Sequence, residues 1–261
     1  MNQTVTKKFS QLVEIMHRLR KECPWDKKQT PQSLRQYILE ESHEVIEAID
    51  DEKWKELGEE LGDLLLQIIF QSVIAEEDGR FSLENVLDNI NKKMIERHPH
   101  VFGDKEVSSS RDVEKNWEHI KIKKENRDSL LGGVPKNAPA LLRAQRLQEK
   151  ASRVGFDWEE ISGVFDKFQE EFEELKDAIN KRNRDNIEEE IGDMFFSLVN
   201  ISRFLNVVAE DSLRRSNEKF KNRFNYIENY YQKDYHKIKD AGIEELDKIW
   251  DKYKEENLEQ E

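Results

Sequence analysis

Two stretches of this chain repeat each other's acids at a single offset. LEESHEVIEAI at 39–49 precedes EELGDLLLQII at 59–69, and QEEFEELKDAI at 169–179 precedes EEIGDMFFSLV at 189–199. Glu40, Glu41, Glu44, Glu60 and Asp63 recur 130 positions later as Glu170, Glu171, Glu174, Glu190 and Asp193. Any fold for this sequence must therefore be one that about half of its 261 residues can build, and build twice. Within each copy the acids form a Glu-x-x-Glu step and then a Glu-x-x-Asp step. Both are i to i+3, so each pair shares one face of a helix.

The surrounding apolar residues agree with helices. In 187–205 they fall at Ile187, Ile191, Met194, Leu198, Ile201 and Leu205, the three- and four-residue spacing of an amphipathic helix. Helix starts are also legible. Thr30 before Pro31 reads as a cap with proline at the first helical position, and Asp157 with Glu160 three residues later reads as a second cap. No alternating strand pattern occurs, so the chain is expected to be all-α, as two tandem helical-bundle repeats. All five prolines precede residue 140, and NRDSLLGGVPKNAPA at 126–140 gathers two of them with a Gly-Gly pair. That places a linker at 126–140 between repeats at 1–125 and 141–261.

The segment EEEIGDMFFSLVNI at 188–201 raises a problem of charge. Read as a buried helix, it surrounds Asp193 with Ile191, Met194, Phe195 and Leu198. An unpaired carboxylate in such a setting costs several kcal/mol. Something positive is expected beside it. Acids of the form EExxE usually mark a solvated face, but Glu171 lies in the sector between Phe168 and Leu175, and the whole pattern repeats. A four-carboxylate site brought together by two antiparallel helices is the preferred reading. Its donors are all oxygen, with no cysteine and no histidine common to both copies, which suits Mg²⁺ or Mn²⁺. A di-iron bundle would need two Glu-x-x-His steps. Glu40 with His43 supplies one, and the second copy has none. His98 and His100 in RHPHVFGD read as part of a turn around Pro99.

A net charge of −13 argues against a broad basic surface for nucleic acid or anionic membrane. An anionic ligand would have to meet a metal or a local basic pocket. NKKMIER at 91–97 and NEKFKNR at 217–223 share Asn91/Asn217, Lys93/Lys219 and Arg97/Arg223, with lysine and arginine on one face. WEHIK at 117–121 and WDKYK at 250–254 each place tryptophan and lysine at i, i+4, a ring for stacking with an ammonium for phosphate. Acids, bases and rings together describe a receptor for a metal-bound polyphosphate carrying an aromatic base. Neither GxxxxGK[ST] nor GxGxxG occurs, so side chains and metal must hold the phosphates. The single cysteine, Cys23, permits no internal disulfide. With no apolar leader or spanning run, a cytoplasmic setting is expected.

PWDKKQT (24–30), LEESHEVIEAI, EELGDLLLQIIFQ, ERHPHVFGD (96–104), RAQRLQEKA (143–151), VGFDW (154–158) and EEEIGDMFFSLVN together resemble the MazG family over nearly the whole chain. The resemblance implies Mg²⁺-dependent hydrolysis of NTPs and dNTPs to the monophosphate and pyrophosphate, a homodimer, and activity carried mainly by the C-terminal repeat. Metal ligands would be Glu171, Glu174, Glu190 and Asp193, with N-terminal counterparts Glu41, Glu44, Glu60 and Asp63. Lys167, Asn217, Lys219, Arg223, Trp250 and Lys254 would contact nucleotide, the tryptophan stacking on a base without reading its identity. Glu170 or Glu189 would orient or deprotonate the attacking water. Where a family lysine can precede the second acidic pair, this chain has Asn186, with Arg184 or Lys181 as substitutes. A non-catalytic helical regulatory protein and a carboxylate-bundle metal protein are the alternatives.

Overall fold

The structure is a computed structural model that describes residues 3–104 and 129–257. The chain divides into two compact units, Met1–Trp117 and Glu118–Glu261. Among the described residues every regular element is helical, as the periodicity predicts.

In the first unit α1 (Gln3–Glu22) leads through a 3₁₀ turn to α2 (Arg35–Asp50), α3 (Trp54–Glu77), α4 (Leu83–Arg97) and the short α5 (Pro99–Phe102). Thr30 and Ser33 exchange side-chain-to-backbone bonds of 3.1 and 3.0 Å, but they close a turn and not a helix start: Pro31 lies in that turn, and Leu34 precedes α2 with no side-chain cap. Pro99 opens α5, a single helical turn where RHPHVFGD reads as a turn around that proline. Helices α2 and α3 pack along each other, and α1 lies on α3. The core between them holds Met16, Leu34, Ile69, Phe70, Val73 and Ile74.

Among its described residues the second unit begins with a 3₁₀ turn at Leu130–Gly133, inside the span read as a linker. Lys150 Nζ on α6 (Ala140–Ser152) donates to Leu130 O at 3.2 Å. Then follow α7 (Ile161–Lys181), α8 (Arg184–Phe204), α9 (Ala209–Tyr230), α10 (Tyr235–Ala241) and α11 (Ile243–Glu256). Helices α7 and α8 form the same kind of hairpin as α2 and α3. Each hairpin turns on a left-handed residue at the same repeat position, Glu52 (φ 54°) and Arg182 (φ 53°). At the break between α8 and α9 the chain bends by 106°. Buried Gln145 of α6 fixes that break, donating to Val207 O and accepting from Ala209 N. No single described helix is long and apolar enough to cross a membrane.

Another expectation fails. Helix α8 is not buried around Asp193: Ile191, Phe195 and Leu198 are 41%, 56% and 50% exposed, and Asp193 is exposed too. The buried face runs instead through Ser197, Asn200 and Ile201. Periodicity identifies an apolar stripe without saying which partner covers it. The stripe at Leu61, Leu65 and Ile68 of α3 is exposed at the same three repeat positions.

Candidate functional site

The acids converge as the repeat requires. Glu171 and Glu174 on α7 and Glu190 on α8 bring carboxylate oxygens within 4.8 Å of one another. Helical spacing places each pair on one face, and the α7–α8 hairpin turns those faces together. Asp193 stands one turn beyond Glu190, close enough to act on it electrostatically. In the first unit the corresponding group is Glu41, Glu60 and Asp63, with the charge of Glu44 acting on Glu60. The charge problem therefore belongs to Glu171, only 5% exposed, rather than to Asp193.

The crowding alters acidity. Burial first, then the charges of Glu174, Glu171 and Asp193, push the Glu190 carboxyl above its ordinary range. Burial with Glu171 and Glu170 does the same to Glu174, against the pull of Lys167. Glu41 and Glu60 are raised by the same causes in the first unit. Lys167 moves the other way: hydrogen bonds to Glu170 (2.8 Å) and Glu171 (2.7 Å) hold its ammonium charged well above the usual lysine range. Three mutually close carboxylates with one internal cation remain net negative. This all-oxygen donor set fits a hard divalent cation such as Mg²⁺ or Mn²⁺.

Beside the acids in the second unit lies a cavity of about 470 Å³. Lys167, Glu171 and Asp193 stand in its wall, together with Leu147, Trp158 and Phe196. VGFDW builds part of it. Gly155, at φ 88°, adopts a left-handed turn that L side chains resist, and so delivers Phe156, Asp157 and Trp158 to the cavity. Asp157 does not cap α7 as expected. It accepts a bidentate pair of bonds from Arg203 of α8, at 3.0 and 2.5 Å. Trp158 lies so close to α7 that a Cβ on Gly163 would collide with its Cδ1. Gly163→Ala should therefore displace the indole and weaken any ligand held there. The change also favours the helix by up to about 1 kcal/mol, so thermal stability should hold while binding falls. Unchanged tryptophan fluorescence and unchanged binding would show that the ring yields without consequence.

The other predicted contacts lie elsewhere in this unit. Lys219 and Arg223 are on α9, Trp250 and Lys254 on α11, and none of them lines the cavity. Trp250 packs against the Ile227, Ile238 and Ile249 cluster, with the Arg223 guanidinium 5.4 Å from its ring centroid. Lys254 Nζ donates to Asp251 at 2.8 Å, and Asn217 is exposed. Arg184 pairs with Glu188 at 3.3 Å, and Lys181 is exposed at the end of α7. Glu170 is engaged by Lys167, and Glu189 is exposed beside Glu190. The N-terminal Trp117 and Lys121 lie outside the described residues.

Sequence reasoning missed the cavity's polar wall, Gln148, Ser197, Asn200 and Arg203. A signal was present. At the repeat positions of Ser197, Asn200 and Arg203 the first half has Gln67, Phe70 and Val73. In the first unit Phe70 and Val73 are buried in the core, with Trp25 6.5 Å from Phe70 and the Arg20 guanidinium 5.8 Å from it, ring to ring and ring to cation.

Two helical hairpins, each bringing paired carboxylates together, define an all-α tandem-repeat protein whose acidic clusters could hold a metal ion. The MazG nucleotide pyrophosphohydrolase domain matches twice, at residues 29–102 and 162–227. The chain belongs to the MazG family. It is 46% identical to the nucleoside triphosphate pyrophosphohydrolase/pyrophosphatase MazG of Thermotoga maritima, over 94% of this chain and 95% of that one. It is 37% identical to the nucleoside triphosphate pyrophosphohydrolase of Escherichia coli K12, over 96% and 98% respectively. A solved structure of a MazG-related protein from Thermotoga maritima matches 43% of this chain and 97% of its own, at 29% identity and a TM-score of 0.39.

Proposed function

We propose that this chain is a cytoplasmic, Mg²⁺-dependent nucleoside triphosphate pyrophosphohydrolase that releases the monophosphate and pyrophosphate from NTPs and dNTPs. The observation that carries this reading is the acidic group of Glu171, Glu174 and Glu190 standing beside an open cavity in the second unit. Family membership and the names of full-length relatives support it. The working repeat is 141–261. The N-terminal copy, 1–125, keeps Glu41, Glu44, Glu60 and Asp63 but packs Phe70 and Val73 where the second opens.

Glu171, Glu174, Glu190 and Asp193 would hold the cation, which when bound supplies neutralising charge to phosphate oxygens. Lys167 stays protonated throughout and offers its remaining capacity to the polyphosphate. Glu189, which makes no ion pair among the described residues, takes a proton from the attacking water. The water oxygen bonds to the α-phosphorus, the bond to the α–β bridging oxygen breaks, and pyrophosphate departs with that electron pair. Asn217, Lys219, Arg223, Trp250 and Lys254 form a second contact group, in which Trp250 gives Arg223 a surface that fixes its guanidinium. The exposed stripes at Leu61, Leu65 and Ile68 and at Ile191, Phe195 and Leu198 support a homodimer.

Product analysis tests the reading. ATP with Mg²⁺ should give AMP and pyrophosphate in equal amounts, and EDTA should stop turnover. ADP with orthophosphate would assign the wrong bond, and no turnover would favour a regulatory bundle.

The raised carboxyls make a further expectation. They bind more protons folded than unfolded, so their contribution to stability is present at low pH and is lost as pH rises through their folded pKa values. At neutral pH the ionised cluster repels itself, and a cation relieves that repulsion. Mg²⁺ at about 100 times its dissociation constant should add about 2.7 kcal/mol at neutral pH. The gain should shrink as pH falls through the raised carboxyl range. Thermal unfolding with and without Mg²⁺ across pH measures this, and a gain independent of pH would place the cation elsewhere.

A further inference from the structure

The second unit meets its own acids with a lysine. Lys167 stands on α7, three residues ahead of Glu170 and four ahead of Glu171, and its ammonium lies 2.8 and 2.7 Å from their carboxylates. Glu171 is the most buried acid of the cluster, and Lys167 is its one ion-pair partner among the described residues. Without that partner a carboxylate so enclosed would be costly to keep ionised. The lysine side chain is nonetheless 39% exposed, and it lines the cavity along with Glu171 and Asp193. A compact charge on a flexible four-carbon stem can therefore leave the carboxylate without leaving the site.

Glu171 is asked to serve two cations. It is one of the three carboxylates whose oxygens lie within 4.8 Å of one another, the group that fits a hard divalent ion. An ion held there and an ammonium held on Glu171 would share one carboxylate, and like charges at that range oppose each other. The first unit supplies the contrast. At the repeat position of Lys167 it has Tyr37, which packs on the core with its ring 6.2 Å from that of Trp25. None of Glu41, Glu44, Glu60 and Asp63 makes an ion pair among the described residues. The acids that carry their own cation are those beside the cavity.

The geometry points to Lys167 as a resident counter-cation that makes the second unit select a metal–polyphosphate complex over the free metal ion. The inference rests on the proposed metal and nucleotide chemistry and adds a rule of order to it. In the free protein Lys167 holds Glu171, so the population able to take a free ion is small, and apparent metal affinity falls by that fraction. A triphosphate entering the cavity offers the ammonium phosphate oxygens in place of Glu171. Glu171 is then released to the ion that the phosphates bring. By reciprocity the ion favours the nucleotide as much as the nucleotide favours the ion. The exchange moves one ammonium between two anions and breaks no covalent bond.

Mn²⁺ binding, read without turnover, tests this. The parent protein is the full-length chain carrying Glu60→Gln and Asp63→Asn, which disables the first cluster, and the nucleotide is α,β-methylene-ATP, which resists cleavage between its α and β phosphorus atoms. Calorimetry gives the dissociation constant of Mn²⁺ from the protein alone, and that of the nucleotide with EDTA and with saturating Mn²⁺. In the parent, Mn²⁺ should tighten nucleotide binding at least about tenfold. Lys167→Met should bind Mn²⁺ alone at least about tenfold tighter than the parent, and the effect of Mn²⁺ on the nucleotide should fall at least about fivefold. Lys167→Arg keeps the charge and should keep the weak binding of Mn²⁺ alone. An unchanged Mn²⁺ affinity in Lys167→Met overturns the proposal. So does tighter Mn²⁺ binding with the coupling intact, because the lysine then acts as a fixed neighbouring charge. A coupling below about twofold in the parent overturns it with no substitution at Lys167, so the test survives if Lys167→Met does not fold. A parent that binds neither Mn²⁺ nor nucleotide brings down the metal–nucleotide reading itself, a result distinct from the others.

Discussion

Glu171→Gln lowers kcat/KM by about 10³-fold while leaving helicity unchanged, and Asp193→Asn does the same to a similar degree. The expectation follows from charge. Each substitution removes one negative charge at nearly constant volume from a group whose oxygens lie within reach of one cation, or border it. Charge neutralisation in the transition state is worth several kcal/mol, and each 1.36 kcal/mol is about tenfold in rate. Glu171 is the more exacting case. It is buried and bonded to Lys167 at 2.7 Å, so the amide also loosens the ammonium that stands in the cavity wall. Glu41→Gln and Asp63→Asn should cost far less, because the first unit packs Phe70 and Val73 at the positions where the second opens to ligand. Steady-state kinetics with circular dichroism on all four variants decides the matter. Equal losses in the two series would mean that the working repeat has been assigned wrongly.

The second large effect is on stability. Arg203→Met breaks the bidentate contact that joins α8 to the Gly155–Trp158 turn and strands Asp157, which keeps 26% of its side chain exposed. Removing one partner of a fully buried pair costs about 3–5 kcal/mol. Partial exposure reduces this to about 2 kcal/mol, or about 4–8 °C in Tm for a chain of this size. The double variant Arg203→Met with Asp157→Asn should recover part of the loss, since no charge is then left unpaired. Calorimetry checks both. A Tm unchanged in Arg203→Met would class the contact with surface pairs that stabilise nothing.

Both variants act on residues of different legibility. Glu171 could be read from the sequence because its meaning is local: i to i+3 spacing puts it with Glu174, and the repeat marks both. Arg203 could not. Its partners Asp157 and Asn200 are 46 and 3 positions away, and only the packing of α8 against the turn before α7 makes them one network.

The same division runs through the whole molecule. All-helical structure, two copies of one hairpin and two sets of paired acids were determined by the sequence alone, because helix periodicity and cap chemistry act over three or four residues. Which acids meet, and in what surroundings, was decided by tertiary structure. The stripe beside Asp193 proved exposed and Glu171 proved buried, since a stripe does not name the surface that covers it. The cavity lies furthest from anything local. It is the space that α6, α7 and α8 fail to fill, and it exists because Ser197, Asn200 and Arg203 stand where Gln67, Phe70 and Val73 do in the first copy. Volume left over by side chains far apart in the chain has no periodicity, so it emerges only when the helices are packed.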